Sequence, residues 1–179
     1  SRRDLTINTM AMDPVTGELI DHFNGREDLG KKIIRFVGNP IERIKEDPNR
    51  ILRACRFAAK IGGEMDEPTA SALHACAGYV KQFVASERVH KEIMDAMNIK
   101  NASLFFHLLH QIGALKDILP SLEECFGHGH GNHHSEDIFS HMMMTGDHVS
   151  TKDPLLKLAA YVHDVGKPAS FDPEGKTFY

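Results

Sequence analysis

Between residues 46 and 60 the chain reads EDPNRILRACRFAAK, with apolar side chains at Ile51, Leu52, Cys55, Ala58 and Ala59. Spacing of i, i+1, i+4, i+7 and i+8 predicts an amphipathic helix with one buried face. Asp47-Pro48 is a good start for it, Asp as N-cap and Pro at the first helical position. From Ile41 onward the same periodicity predicts helices joined by short connectors. Gly62-Gly63 stops the first, and residues 66–77 restart through Pro68. Ser86 is placed to cap 87–97, and Asn101 to cap 102–111, where Leu104, Phe105, Leu108 and Leu109 lie at helical spacing and Gly113 closes the run. Pro120 ends the short piece 115–119. A glycine-rich loop over 126–134 precedes two further helices, expected over 136–149 and 154–165.

The first forty residues are patterned differently. A short apolar pattern (Leu5, Ile7, Met10) is followed by turn residues over 13–17 and a short strand over 18–21. A second turn with a short helix covers 23–29, and KIIRFV (32–37) is β-rich up to Gly38-Asn39-Pro40. This mixture predicts the trailing edge of an α/β unit, with a domain boundary near residue 40. No repeat or low-complexity tract interrupts the chain.

Composition narrows the class. At 179 residues, 41% hydrophobic and 26% charged, the chain has enough apolar material for a globular core. A formal charge of −4 argues against a protein that coats nucleic acid all over, while leaving room for a local basic face. Cys55, Cys76 and Cys125 are scattered and odd in number, the pattern of reduced thiols in a reducing compartment. Neither a membrane span nor a signal peptide is visible, so a cytoplasmic location is expected. A start at Ser-Arg-Arg and an end at Lys-Thr-Phe-Tyr read as an excised fragment.

Three groups of residues could carry chemistry. Asp47, Arg50, Arg53 and Arg56 recur every three positions, so three guanidinium groups lie within about 9 Å of helical rise. Cations this close repel unless an anion lies among them, and Arg suits bidentate contacts to phosphate. A nucleotide is the guest that fits; a solvated stripe with a structural cap is the plain alternative. Arg3 could reach a triphosphate, and Asp4 and Asn8, at i and i+4, would share one side of a short helix; a surface ion pair plus a cap explains them as well. The third group is rich in histidine: His128, His130, His133 and His134 in the loop, His141 and His148 in the next helix, and His163-Asp164 at the end of the last. Imidazoles and a carboxylate from separate helices can hold a divalent metal. The loop histidines are equally read as a polar loop, whereas His141, His163 and Asp164 lie on amphipathic helices and make the better set.

Taken in order, RRDLTINTMAM, DHFNGREDL, EDPNRILRACRFAAK and SERVHKE (86–92) resemble successive motifs of bacterial-type class II tRNA nucleotidyltransferases, the family of CCA-adding enzymes and related poly(A) polymerases. The HHSEDIFSH…YVHDVGKP segment resembles the HD domain that follows in some members. The resemblance implies a mainly α fold in three parts. These are a strand-containing remnant of an α/β nucleotidyltransferase head (1–40), a helical neck/body that binds nucleotide base and RNA (41–125), and a truncated HD-type helical domain (126–179). It implies that Arg3 and Asp4, with Asn8 alongside, lie near triphosphate and ribose, and that Asp47 and Arg50 present hydrogen-bonding edges to the base. Arg53 and Arg56 would line the same pocket and reach phosphate, 86–92 would form the helix that steadies it, and His141, His163 and Asp164 would begin an HD metal site.

The implied function is template-independent addition of C and A, from CTP and ATP, to the 3′ end of tRNA. The family's Mg²⁺-binding carboxylates belong upstream of Arg2, so this fragment is expected to bind nucleotide poorly and transfer none. Its HD set is short of a later Asp, so phosphohydrolase activity is not expected of the fragment alone. Two rivals stand beside this reading: an HD-type metal-dependent phosphohydrolase with a divalent metal at His141, His163 and Asp164, and a non-enzymatic RNA-binding helical module built on the basic helix.

Overall fold

In the computed structural model, residues 3–129 and 137–170 are described. After a 3-10 turn at Thr6–Asn8, β1 (Ala11–Met12) pairs antiparallel with β2 (Leu19–Ile20), Ala11 opposite Ile20. Asp13 forms the turn between them by accepting the N–H groups of Val15 and Thr16, and Gly17 closes it at φ 71°. Asp21 then accepts from the backbone of Phe23, Gly25 and Arg26, which starts α1 (Gly25–Gly30). β3 (Ile33–Ile34) pairs in parallel with β4 (Glu64–Met65), and the crossover between them is helical: α2 (Pro40–Glu46) and α3 (Arg50–Ile61).

The expected single helix from Asp47 is therefore corrected. α2 ends at Glu46, Asp47 is extended at φ −153°, and α3 begins at Arg50. Pro48 disfavours helical geometry in the residue before it, which keeps Asp47 extended as an N-cap would be; the difference is that Pro48 and Asn49 form a turn and the helix opens two residues later. The Asp47 side chain accepts the N–H of Asn49 at 3.2 Å, and Asn49, the residue at the cap position of α3, makes no side-chain cap. The apolar face of α3 is as expected: Ile51, Leu52, Cys55, Ala58 and Ala59 are buried, and Ala54 joins them.

The rest is helical, as the sequence predicts: α4 (Glu67–Cys76), α5 (Tyr79–Phe83), α6 (Ser86–Met97), α7 (Ser103–Gln111), α8 (Leu115–Ile118), α9 (Pro120–Glu124), α10 (Ile138–His148) and α11 (Pro154–Val162). Three details differ. Ser86 is the first residue of α6, with Ala85 at the cap position and no side-chain cap. Pro120, expected to end a helix, also opens α9, where its missing N–H costs nothing. Asn101 does not cap α7. Instead Asp147, from α10, accepts the backbone N–H of Ser103 at 3.2 Å and its hydroxyl at 2.6 Å. A distant carboxylate, placed by tertiary packing, replaces the local cap.

α3 packs against α6 and α7, and α11 lies against both α6 and α10. One continuous buried cluster runs from Leu5 through α3, α7 and α10 to Tyr161. Tyr161 is fully buried, donates its hydroxyl to Asp147 at 2.5 Å and accepts the N–H of Ala102 at 3.0 Å, and its ring lies on Gly146. Burial and the adjacent Asp147 charge push its phenol pKa up. Among the described residues no helix is long and apolar enough to cross a membrane.

A Cβ at position 146 would fall inside the Tyr161 ring, which is held at its hydroxyl and has no room to retreat. Gly146→Ala should therefore lower stability by about 1–3 kcal/mol through overpacking, despite alanine's better helix propensity. Urea unfolding followed by circular dichroism would measure this; an unchanged or raised midpoint would contradict the packing.

Candidate functional site

The start of α3, the side of α6 and the segment before β1 enclose a cavity of about 560 Å³. Arg3, Asp4, Asn8, Asp47, Arg50 and Arg53 all reach its wall, although up to 50 residues of sequence separate them. Asn49, Arg88, Lys91 and Glu92 complete it. Five cationic side chains face three carboxylates there, so the wall has a positive excess suited to an anion.

Each carboxylate is oriented by a specific cation. Asp4, 6% exposed, accepts from Arg53 Nε at 2.5 Å, from Asn8 Nδ2 at 3.2 Å and from the Leu5 N–H at 2.9 Å. Burial alone would raise its pKa, but Arg53 and these hydrogen bonds outweigh it and hold the carboxyl below the usual range. Asp4 and Asn8 do meet, and the short helix expected there is a three-residue 3-10 turn. Arg3 donates to the carbonyls of Asn8 and Met10, tying the segment on itself.

Asp47 is gripped by both terminal nitrogens of Arg88, 2.9 Å to each oxygen, and also accepts the Asn49 N–H at 3.2 Å. Here too partial burial is outweighed, by Arg88 first, and the pKa is lowered. A carboxylate has about four acceptor sites, so Asp47 retains capacity for one further donor. Arg50 uses one terminal nitrogen for the Arg43 carbonyl and Glu46, both at 2.7 Å, which aims the guanidinium and leaves further N–H groups for a ligand.

Glu92 sits beneath the wall at 4% exposure. It accepts from Arg56 Nε at 2.6 Å and from Asn49 Nδ2 at 3.0 Å, with Arg53 at 3.9 Å. Arg56 itself lies beyond this carboxylate, in the wall of a neighbouring cavity that it shares with Lys60 and Lys100. Arg88, Lys91 and Glu92 were not picked out individually from sequence. The legible signal was their spacing in SERVHKE: Arg88 and Glu92, at i and i+4, share one face of α6.

A second cluster lies away from this cavity. One ligand atom each from His141 on α10, His163 at the end of α11, and Asp164 lie within 4.8 Å of one another. His163 Nδ1 lies 2.9 Å from the Ala160 carbonyl, a contact that orients the ring with Nε2 toward Asp164 at 3.3 Å. Two imidazoles and a carboxylate are a donor set for a divalent first-row metal. Lys167, 2.6 Å from the same Asp164 oxygen, competes for it. Of the loop histidines, His128 is exposed on the described chain, while His130, His133 and His134 lie outside the described residues.

Fold and cavity together define a helical module with a cationic, hydrogen-bonding pocket of nucleotide size. Residues 1–35 match the family described as Poly A polymerase head domain, and residues 63–126 match Probable RNA and SrmB-binding site of polymerase A. The Multifunctional CCA protein of Laribacter hongkongensis is 41% identical over 174 residues, covering 93% of this chain and 42% of the relative. That of Xanthomonas euvesicatoria is 37% identical over 176 residues, with coverage of 93% and 42%. The chain thus spans about two-fifths of the length of these relatives. Among solved structures, the Bacillus stearothermophilus CCA-adding enzyme in complex with CTP superposes with a TM-score of 0.65 at 32% identity, over 70% of this chain and 32% of that one. A tRNA-processing enzyme with CTP gives 0.67 at 26% identity, over 93% and 47%. The Thermotoga maritima CCA-adding enzyme complexed with tRNA shares the fold, with a TM-score of 0.64 at 24% identity, over 97% and 44%. The chain belongs to the class II family of CCA-adding enzymes and poly(A) polymerases.

Glu92→Ala would leave Arg56 and Asn49 without their buried acceptor. The expected loss is about 3–5 kcal/mol, the usual cost of breaking a buried ion pair from one side. Thermal and urea unfolding would measure it. A variant as stable as the parent would show that the carboxylate does not hold α6 to α3.

Proposed function

We propose that this chain is the neck and body of an enzyme that adds C and A, from CTP and ATP, to the 3′ end of tRNA. The observation that carries the reading is the convergence of Asp47, Arg50 and Arg53 with Arg3 and Asp4 on one cationic cavity. A CCA-adding enzyme and a tRNA-processing enzyme, both solved with CTP, share the fold, and the matched head-domain and RNA-binding segments lie in the order this reading requires. In the proposed division, 1–40 is the edge of a nucleotidyltransferase head, 41–125 the neck and body, and 126–179 the start of an HD-type domain. The enzyme would be cytoplasmic, in keeping with three free, buried cysteines.

In this reading the base is chosen by protein groups. Cytosine and adenine both carry an exocyclic amine where uracil and guanine carry a carbonyl oxygen. The remaining acceptor site of Asp47 takes that amine and would repel the carbonyl, while Arg50 donates to the ring acceptors beside it. Arg88 holds Asp47 in place and Glu46 holds Arg50, so the pair is fixed before a base arrives. Arg53 and Arg3 face the phosphates, with Asp4 and Asn8 near the ribose. Arg56 would reach phosphate from the adjoining cavity. Family members generally use a divalent metal, and Mg²⁺ is the ion proposed for the head, on carboxylates expected upstream of Arg2. It would neutralise charge developing on the transferred phosphate.

The deciding experiment joins the chain to the upstream head segment of its parent and follows CTP and ATP incorporation into tRNA lacking its terminal nucleotides. Asp47→Ala and Arg50→Ala should each cost about 1–3 kcal/mol of base discrimination, roughly ten- to hundredfold against UTP and GTP. Unaltered base choice in both variants would remove the pair from the selection step.

A second reading is favoured by one observation, the convergence of His141, His163 and Asp164: this part of the parent holds a divalent metal and hydrolyses phosphate esters. Titration with Co²⁺ followed by its visible spectrum should detect a site that His163→Ala abolishes. Lys167→Ala should tighten it by freeing the Asp164 oxygen. Equal, weak binding by all three proteins would count against any built metal site.

A further inference from the structure

Asn49 stands in the wall of the nucleotide cavity with 4% of its surface exposed. Two of its polar groups are used. The backbone N–H donates to Asp47 at 3.2 Å, and Nδ2 donates to Glu92 at 3.0 Å. Its Oδ1 is buried and, among the described residues, accepts no hydrogen bond. Exchanging the two ends of the amide gives no remedy, because it would set the oxygen against the Glu92 carboxylate. A buried acceptor left unmatched costs free energy, and native structures carry few of them.

The surrounding chain does not use this oxygen. An Asn at the cap position ordinarily accepts a backbone N–H of the first helical turn. Asn49 instead has helical backbone, φ −60° and ψ −17°, and makes no side-chain cap. The N–H groups of Arg50 and Ile51 are taken by the Asp47 and Pro48 carbonyls, so α3 starts without it. The guanidinium groups of the wall are engaged as well, Arg88 with Asp47, Arg53 with Asp4 and Arg50 with Glu46.

We propose that Asn49 Oδ1 accepts the second amine hydrogen of an incoming cytosine or adenine, which makes Asn49 a third residue of base selection beside Asp47 and Arg50. The proposal rests on the nucleotide-adding reading given above. An exocyclic amine carries two N–H donors, and the remaining acceptor site of Asp47 satisfies one of them. The Asp47 carboxylate already holds the Asn49 N–H, which puts the two residues at one corner of the cavity. Ribose and phosphate lie, in the same reading, toward Asp4, Asn8 and Arg53, so the base is the part of the nucleotide nearest Asn49. A uracil or guanine in this position would set its carbonyl oxygen against two acceptors where Asp47 alone would offer one. Asn49 thus sharpens the choice without adding charge to the cavity.

The test uses the head-joined protein as wild type, Asn49→Ala and Asn49→Leu, with CTP, UTP and N4-methyl-CTP, in which a methyl group replaces one amine hydrogen. Circular dichroism checks folding, and the leucine variant fills the space if alanine leaves a damaging void. In both variants the preference for CTP over UTP in kcat/KM should fall about tenfold, the worth of one hydrogen bond to the base. Wild type should use N4-methyl-CTP about tenfold less well than CTP. Asn49→Ala, lacking the acceptor and with room for the methyl group, should bring the two close to equality. A purely structural role would slow CTP and UTP alike and leave the N4-methyl penalty in place; that result overturns the proposal. So does an unchanged CTP preference in either folded variant, or equal use of CTP and N4-methyl-CTP by wild type, a comparison that needs no variant to fold. Each of these leaves the nucleotide-adding reading standing, whereas no incorporation by wild type overturns that reading and this inference with it.

Discussion

A single buried carboxylate organises the half of the molecule that carries the candidate site. Glu92 is almost wholly removed from water and must be matched by donors, because an uncompensated charge there costs several kcal/mol. Arg56, Asn49 and, at longer range, Arg53 supply the match, which locks α6 against the polar side of α3. α3 is then fixed on both faces, by apolar packing on one and by ionic pairing on the other. A helix so held can present Arg50 and Arg53 in defined positions.

From this anchor the pairings extend outward. Arg53 reaches Asp4 and so fastens the N-terminal segment to the helix from 49 residues away. Arg88, one turn before Glu92 on α6, reaches Asp47 in the break between α2 and α3. Both aspartates have lowered pKa values, so the stability these pairs contribute is present above the ordinary carboxylate pKa and is lost as pH falls through the lowered values. Each group that would touch a nucleotide is thereby oriented by a partner behind it, which reduces the ordering needed on binding.

The C-terminal helices are joined to this frame by polar contacts as well as by the core. Asp147 receives Ser103 and Tyr161, and Lys157 pins the turn before α7, so α10 and α11 close over an end of α7 that its own sequence leaves uncapped. The same packing brings His141 beside His163 and Asp164.

Much of this was legible in the chain. Apolar periodicity defined the buried face of α3 and the helical run after residue 41, because those preferences are local and the 3.6-residue repeat records them directly. The three-residue spacing of Arg50, Arg53 and Arg56 marked a basic face, and motif order indicated the family. Sequence could not tell that Arg56 would be turned to the far side of Glu92, that Arg88 would grip Asp47, or that Asp147 would replace Asn101 as the cap of α7. The extended backbone at Asp47, by contrast, follows locally from Pro48, which disfavours helical geometry in the residue before it. The three pairings were decided by tertiary structure alone. Which charge meets which depends on how the buried faces stack, and a charged side chain finds its partner only after the apolar faces have set the distance between their helices.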